Sequence, residues 1–327
     1  MPIGSIILFV VSLVTGATGF LGSRLARVLA ARGDRVRALA RTTSDLRRLA
    51  GVDVEMAEGD VTDAASIAAA CAGVDRVFHC AAVYEIGAKD PVKMRAVNVG
   101  GTQTVLRAAA ERRILSVHVS SVVALGPTRE GQLADESHWT GDTPRSPYEA
   151  TKREAHSIAR SMARAGARIR IAMPVTIYGP DDPSLTGETH KWIARGAMRV
   201  GALADLAMTL VHVDDCAEAL ALVAERGEDG GEYIVAERSV TFREWFTLAA
   251  RAAGRRPPSL WLPDAVVRGL SRAAAMAPPV VREGLAMSVG ARWAFRGDKA
   301  RRDLGWMPRP LDEGLRETMA WYRAPGR

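Results

Sequence analysis

The chain has 327 residues, a formal charge of +7, 48% apolar and 25% charged residues. This is ordinary globular usage for a chain long enough to bury a large core, and it excludes disorder. The charge is mostly arginine and is dispersed, so the clustered basic stripe of a nucleic-acid binder is missing and no nucleic-acid partner is expected.

In chain order, the first feature is an apolar opening, Ile6–Val14. It lacks a positive leader and falls far short of the roughly 20 residues of a spanning helix, so no membrane insertion is expected. It runs straight into Thr15-Gly16-Ala17-Thr18-Gly19, which makes Ile7–Val14 a buried strand. Further strand-like runs are Arg35–Ala40, Val52–Glu58, Arg76–Ala81, Ile114–Ser120 and Ile169–Pro174. Helix-period stretches at Leu21–Ala31, Ser66–Ala72, Val92–Glu111 and Tyr148–Ala165 alternate with them. Such alternation implies parallel pairing with right-handed crossovers. From Pro174 the pattern changes to loops rich in Gly, Pro and Asp, then to helical segments. Thr209–Ala224 reads as one more strand and helix that rejoins the main sheet. The expected architecture is α/β: a doubly wound Rossmann sheet over residues 1–173, rejoined by 209–224, and a smaller, mostly helical substrate lobe over 174–327. Cys71, Cys80 and Cys216 form no CxxC and no ligand pattern with the six histidines, so a reducing, cytoplasmic setting without a structural metal is expected.

Thr15, Gly16, Thr18, Gly19, Phe20, Leu21 and Gly22 lie between a buried strand and a helix. Glycines there allow a tight turn and close backbone approach, and the helix N-terminus offers free N–H groups to a pyrophosphate. The spacing is GxxGxxG rather than GxGxxG, so the context, more than the glycines, points to a dinucleotide. An acidic residue that would grip the ribose 2′-hydroxyl of NAD is missing after the second strand. Arg41 stands there, with Thr42 and Ser44 close by, and can pair with a 2′-phosphate. NADP(H) is therefore favoured over NAD(H). After the third strand, Asp60 can accept from the adenine amino group with Val61 beside it, and Asp63 reads as a helix cap.

Tyr148 and Lys152, four apart at a helix start, project from one face. An ammonium beside the phenol favours phenolate and brings a weak base into useful range. Ser121, at the carboxyl end of a strand where open α/β sheets hold ligands, can grip a carbonyl or alcohol oxygen while Tyr148 moves the proton.

Taken with Asp60-Val61, His79-Cys80-Ala81-Ala82, Asn98 with Gly101-Thr102, Pro174–Pro180, Val211–Asp215 and Lys299–Pro308, these motifs make the chain resemble the extended short-chain dehydrogenase/reductase superfamily (the NAD-dependent epimerase/dehydratase family). Within it the chain is most similar to dihydroflavonol reductase-like and 3β-hydroxysteroid dehydrogenase-like members, through Arg37–Asp45 and Gly231–Val235. Hopanoid-associated sugar epimerases look similar too. The resemblance selects Ser121 over Ser120, because Ser121 lies five residues before Gly126. It implies that Tyr148 is general acid/base, that Lys152 binds the nicotinamide ribose, and that Asn98 supports a proton relay. It also implies that Ala81, Ala82 and Pro174 lie against the cofactor, and that a homodimer is one assembly open to the chain. Two positions depart from the pattern. His156 replaces a frequent Glu and reads as a helix-surface or salt-bridge difference. Ala172-Met173-Pro174 lacks the asparagine–proline pair of many nucleotide-sugar enzymes, which weakens that substrate class.

For a small-molecule substrate, the candidate contacts are Tyr84, Trp139 and Tyr178, in a pocket roofed by Val83–Lys89, Leu125–Ser146 and the C-terminal lobe. Lys191, Arg195 and Arg199, at four-residue spacing, offer a diphosphate grip on one helix or a solvated helix face. The leading function is hydride transfer between NADPH and a carbonyl or alcohol. The alternatives are a nucleotide-sugar epimerase or dehydratase with internally recycled NAD(P), and a non-catalytic dinucleotide-binding protein.

Overall fold

The structure, a computed structural model, describes residues 9–85, 87, 89–273 and 279–324. Ile7 and Leu8 of the expected first strand and Ile86 and Ala88 of the expected roof fall outside them.

The first half alternates as expected: β1 (Val11–Thr15), α1 (Phe20–Ala31), β2 (Arg35–Ala40), β3 (Val54–Glu58), α2 (Ala64–Ala70), β4 (Arg76–His79), α3 (Pro91–Arg95), α4 (Thr102–Glu111), β5 (Leu115–Val119), α5 (Pro147–Arg164) and β6 (Ile169–Pro174). A π-helical turn, Ala96–Gly101, joins α3 to α4. The second half adds β7 (Thr176–Tyr178), α6 (Leu185–Ala194), β8 (Val200–Ala202), β9 (Ala207–His212), α7 (Val213–Arg226), β10 (Glu232–Val235), β11 (Arg238–Thr241), α8 (Phe242–Ala252), β12 (Leu260–Leu262), α9 (Asp264–Ala273), α10 (Pro279–Ser288), α11 (Asp298–Leu304) and α12 (Leu311–Arg323).

Seven parallel strands form the main sheet in the order β10-β6-β5-β4-β1-β2-β3. Alternate residues feed opposite cores, which is why both faces must be covered. Leu13 and Val77 pack with Ile67 of α2 and Val105 of α4, whereas Val14 and Phe78 pack with Leu25 of α1 and Leu220 of α7. The register aligns Thr15 with Leu39 and His79, and His79 with His118, so the carboxyl ends of four adjacent strands form one row.

The strand expected within Thr209–Ala224 does not rejoin this sheet. β9 pairs with β7 and β11 in a separate three-stranded sheet, because Met208 and Leu210 belong to the second core with Trp245, Phe246 and Leu315. Its helix α7 does return, packing on α1, and β10 is the strand that joins the main sheet, beside β6. The smaller lobe therefore carries β-structure, including the β8–β12 pair, among its helices. Among the described residues no helix is long and apolar enough to cross a membrane.

Candidate active site

The chain leaves β1 at Thr15 and turns at Gly16, whose φ is +69°. A Cβ there would lie 2.8 Å from the Cα and amide nitrogen of Ala81, and one on Gly22 would overlap the Gly16 carbonyl. Only glycine fits at either place. Gly19 caps α1 without a side-chain bond, and no acidic residue occupies the first turn. The helix N-terminus therefore keeps its amides for an anion.

Against this turn lies a cleft of about 320 Å³. It collects Gly16, Thr18, Gly19, Phe20, Leu21, Gly22, Arg41, Ser44, Asp60, Val61, Ala81 and Ala82, all anticipated from sequence; Leu39, Lys93 and Val97, which were not, line it as well. Thr15 lies beneath it, fully buried. Lys93 arrives from α3, far along the chain, and no local pattern signals it.

The Arg41 guanidinium has no hydrogen bond or ion pair among the described residues; its backbone amide donates to Ser44 Oγ at 3.1 Å. Asp45, the first carboxylate after β2, is held by Arg47 at 2.6 Å. Asp60 Oδ1 accepts from the Thr62 amide and hydroxyl at 2.9 and 2.8 Å. The Thr62 amide above all, with the charges of Arg41 and Lys93, keeps this carboxyl below its usual range. A glycine cradle and an open helix terminus fit a nicotinamide dinucleotide.

At the other end, Ser146 caps α5 by accepting from the Glu149 amide at 3.1 Å, and Pro147 opens the helix. Lys152 Nζ donates to the Val119 carbonyl at 3.0 Å, and burial pushes its pKa down to about 8. Tyr148 is nearly buried, and its hydroxyl has no hydrogen-bond partner among the described residues. Burial first, then Tyr84, raises the pKa of this phenol well above its ordinary value, so it stays protonated. The ring of Tyr84, itself about half exposed, meets Tyr148 edge-on. Ser121 Oγ accepts from the Val123 amide at 3.2 Å and reaches the Pro174 carbonyl at 3.5 Å. No hydrogen bond joins Ser121, Tyr148 and Lys152 to one another; Ser121 lies just past the end of β5, and Lys152 bonds the last residue of that strand. Asn98 sits in the π-helical turn, a feature common at functional sites. Its Oδ1 accepts from the Val83 amide at 2.7 Å, and its Nδ2 donates to the Val83 carbonyl and to Thr151 Oγ1, both at 3.0 Å.

Other expected contacts lie elsewhere. Trp139 stands 5.8 Å from His156, ring to ring, with the Arg160 guanidinium 4.8 Å and that of Arg153 5.8 Å from its centroid. That is a different face of α5 from the one carrying Tyr148. Tyr178 is buried in the second core, edge-on to His190 and His212. His156 is fully buried rather than on the helix surface: its Nδ1 meets Ser120 Oγ at 2.8 Å and its Nε2 lies 3.4 Å from Glu232. α6 ends at Ala194, so Lys191, Arg195 and Arg199 do not share one helix, and Lys191 pairs with Glu188 at 3.5 Å. His212, Asp214 and Glu317 bring potential ligand atoms within 4.8 Å of one another. Guanidinium groups already balance them, Arg309 on Glu317 at 2.5 Å and Arg24 on Asp214 at 3.4 Å.

A Rossmann sheet with a glycine cradle at its first strand end defines a dinucleotide-binding enzyme. The chain belongs to the NAD dependent epimerase/dehydratase family, which residues 12–236 match. It is 34% identical to "Sterol demethylase protein B" of Methylococcus capsulatus, over 96% of this chain and 99% of that protein. It is 31% identical to the 4-hydroxy-2-methyl-3-oxo-4-farnesyl-3,4-dihydroquinoline-1-oxide ketoreductase of Stigmatella aurantiaca, over 90% and 91% of the two chains. The crystal structure of gox2253 superposes with a TM-score of 0.85 at 37% identity, covering 97% of this chain and 99% of that one.

Proposed function

We propose that this protein is a cytoplasmic, NADPH-dependent reductase of ketones or aldehydes that also runs in reverse on the alcohol. One observation carries the reading: Tyr148, its ring nearly buried and its phenol held protonated by that burial, keeps a hydroxyl free of protein partners one helical turn before Lys152, which bonds the last residue of β5. A protonated phenol is the state a carbonyl reductase needs in its general acid.

Ser121 Oγ holds the carbonyl oxygen, and Tyr148 Oη donates the proton that this oxygen takes up. A nicotinamide held in this cleft would supply the hydride, so that carbonyl, hydride and the Tyr148 proton together would give the alcohol. Lys152 offers its remaining N–H bonds to ribose hydroxyls, and its charge favours phenolate once the proton has left. Asn98, fixed by Val83 and Thr151, carries the relay that restores that proton. The unpaired Arg41 supports a 2′-phosphate, with Lys93 as a second cation on the same cleft. Residues 1–173, completed by α7 and β10, serve as the dinucleotide-binding domain, and the rest of 174–327 serves as the substrate lobe. The similarity to proteins named as a ketoreductase and as a sterol demethylase protein supports an apolar ketone. The three cysteines, all free, support a reducing compartment.

The test is to denature the purified protein, identify any dinucleotide released, and titrate the emptied protein with NADPH and NADH. The expected result is an exchanging protein that prefers NADPH and oxidises it when given apolar ketones. Stoichiometric, tightly held NAD would overturn the reading in favour of internal redox recycling on a nucleotide sugar.

A further inference from the structure

Behind the cleft, starting from the Ala81 amide, five elements share one run of hydrogen bonds. The Ala81 amide reaches Thr15 Oγ1 at 3.3 Å, Thr15 Oγ1 meets His79 Nδ1 at 2.8 Å, and His79 Nε2 meets Thr102 Oγ1 at 3.0 Å. Thr102 Oγ1 donates to the Asn98 carbonyl at 2.7 Å. On the other side of Asn98, Nδ2 donates to Thr151 Oγ1, which donates to the Tyr148 carbonyl at 2.9 Å.

Donor counting fixes the direction of every bond. A carbonyl can only accept, so the single Thr102 proton is spent on Asn98, and His79 Nε2 must carry a hydrogen and donate it. Burial holds the imidazole neutral, its pKa pushed down to about 3. Its Nδ1 is therefore a bare acceptor, and the Thr15 hydroxyl donates to it while accepting from Ala81. His118 stacks on the ring at 5.7 Å and holds its plane. Ala81 is also the residue against which Gly16 is packed too closely for a side chain.

We infer that His79, as the Nε2–H tautomer, is a positioning residue that locks the glycine turn to Asn98 and, through Thr151, to the helix carrying Tyr148. A disturbance at Thr102, which lines no part of the cleft, is then felt both in dinucleotide binding and at Tyr148. The second half rests on Tyr148 acting on the substrate as proposed above; the first does not.

The experiment compares wild type with Thr102→Val and Thr102→Ser. Thr102→Val is expected to raise the Kd for NADPH several-fold and to lower kcat about tenfold, the scale of one hydrogen bond. Thr102→Ser, which keeps the hydroxyl, restores both. Thr15→Val combined with Thr102→Val should lose little more than the worse single variant, since both cut one chain. A merely structural role would lower Tm and leave Kd and kcat of the folded fraction unchanged, and that outcome overturns the inference. If no carbonyl substrate is turned over, the functional reading fails while the Kd comparison still decides the positioning. Should Thr102→Val not fold, ¹⁵N-histidine NMR of the wild type remains, and an Nδ1–H tautomer at His79 sinks the proposal.

Discussion

The rings of Tyr84 and Tyr148 meet edge to face, with centroids 5.0 Å apart and planes at 84°. Such a pair is worth about 0.5–1.5 kcal/mol beyond the area it buries, and here it limits how far the Tyr148 ring can swing. Tyr148→Phe keeps the ring contact and removes the proton; a kcat loss of about 10²–10⁴-fold with little change in NADPH affinity is expected from steady-state assays and fluorescence titration. Tyr84→Ala leaves the acid in place and loosens it, so a smaller kcat loss with a raised KM is expected. Full activity in Tyr148→Phe would dismiss the general-acid assignment.

Arg41→Ala is expected to weaken NADPH binding about 10- to 100-fold and leave NADH almost unchanged, because a charge-assisted contact to the 2′-phosphate is lost. Lys93→Ala should shift the same preference by less, as lysine meets phosphate as a single point charge. Isothermal titration with both dinucleotides gives the ratio directly; an unselective wild type would end this claim.

Gly22→Ala forces a Cβ into the Gly16 carbonyl. The turn must open, so dinucleotide binding should fall below detection while far-UV circular dichroism stays close to wild type. A variant that still binds normally would show that the close approach is not needed.

Burial lowers the pKa of five histidines, with His79, His190 and His212 each pushed to about 3. An unfolded histidine binds its proton near pH 6.5, so between about pH 6.5 and 3 the unfolded state holds more protons and stability falls as pH falls. Buried Asp182 and Glu237, raised to about 6 and 7, act in the opposite sense until the unfolded carboxyls also protonate near pH 4. Urea denaturation should therefore show a shallow decline down to about pH 4 and a steep one below it. A flat profile from pH 6 to pH 3 would contradict the buried, neutral histidines.

Trp139 lies between Arg160 and Arg153 over His156. Trp139→Ala should cost about 1–3 kcal/mol of stability through lost cation–π and ring packing, and leave KM for the substrate unchanged. A large KM change with unaltered stability would return this residue to the substrate pocket.

Features set by local chain geometry were legible from sequence. The glycine spacing depends on one strand–turn–helix junction, and Tyr148 and Lys152 share a face because four residues make about one helical turn. What remained hidden depends on packing between distant segments. Lys93 reaches the cleft from α3, an element about 70 residues beyond the glycine turn in the chain. Tyr178 and Trp139 look alike as loop aromatics, yet one fills a core and the other packs over His156 and Arg160 of α5. The apolar alternation of Met208 and Leu210 announces a strand but not which sheet receives it. Of the two readings of His156, the salt-bridge one has a counterpart in Glu232 and the surface one does not; its other partner, the hydroxyl of Ser120, lies 36 residues earlier and leaves no local signal.

The chain departs from the large sheet after β6, builds part of the small lobe, and comes back as α7 and β10. The two lobes are thus sewn together by repeated passes of the backbone. A swing about one free linker is unavailable to them, and any closing over substrate must proceed by sliding and by local loop movement. The same stitching means that a fragment cut at residue 174 would lack the cover of α1 and the outermost strand beside β6. The dinucleotide half is a completed object only when the rest of the polypeptide has been made.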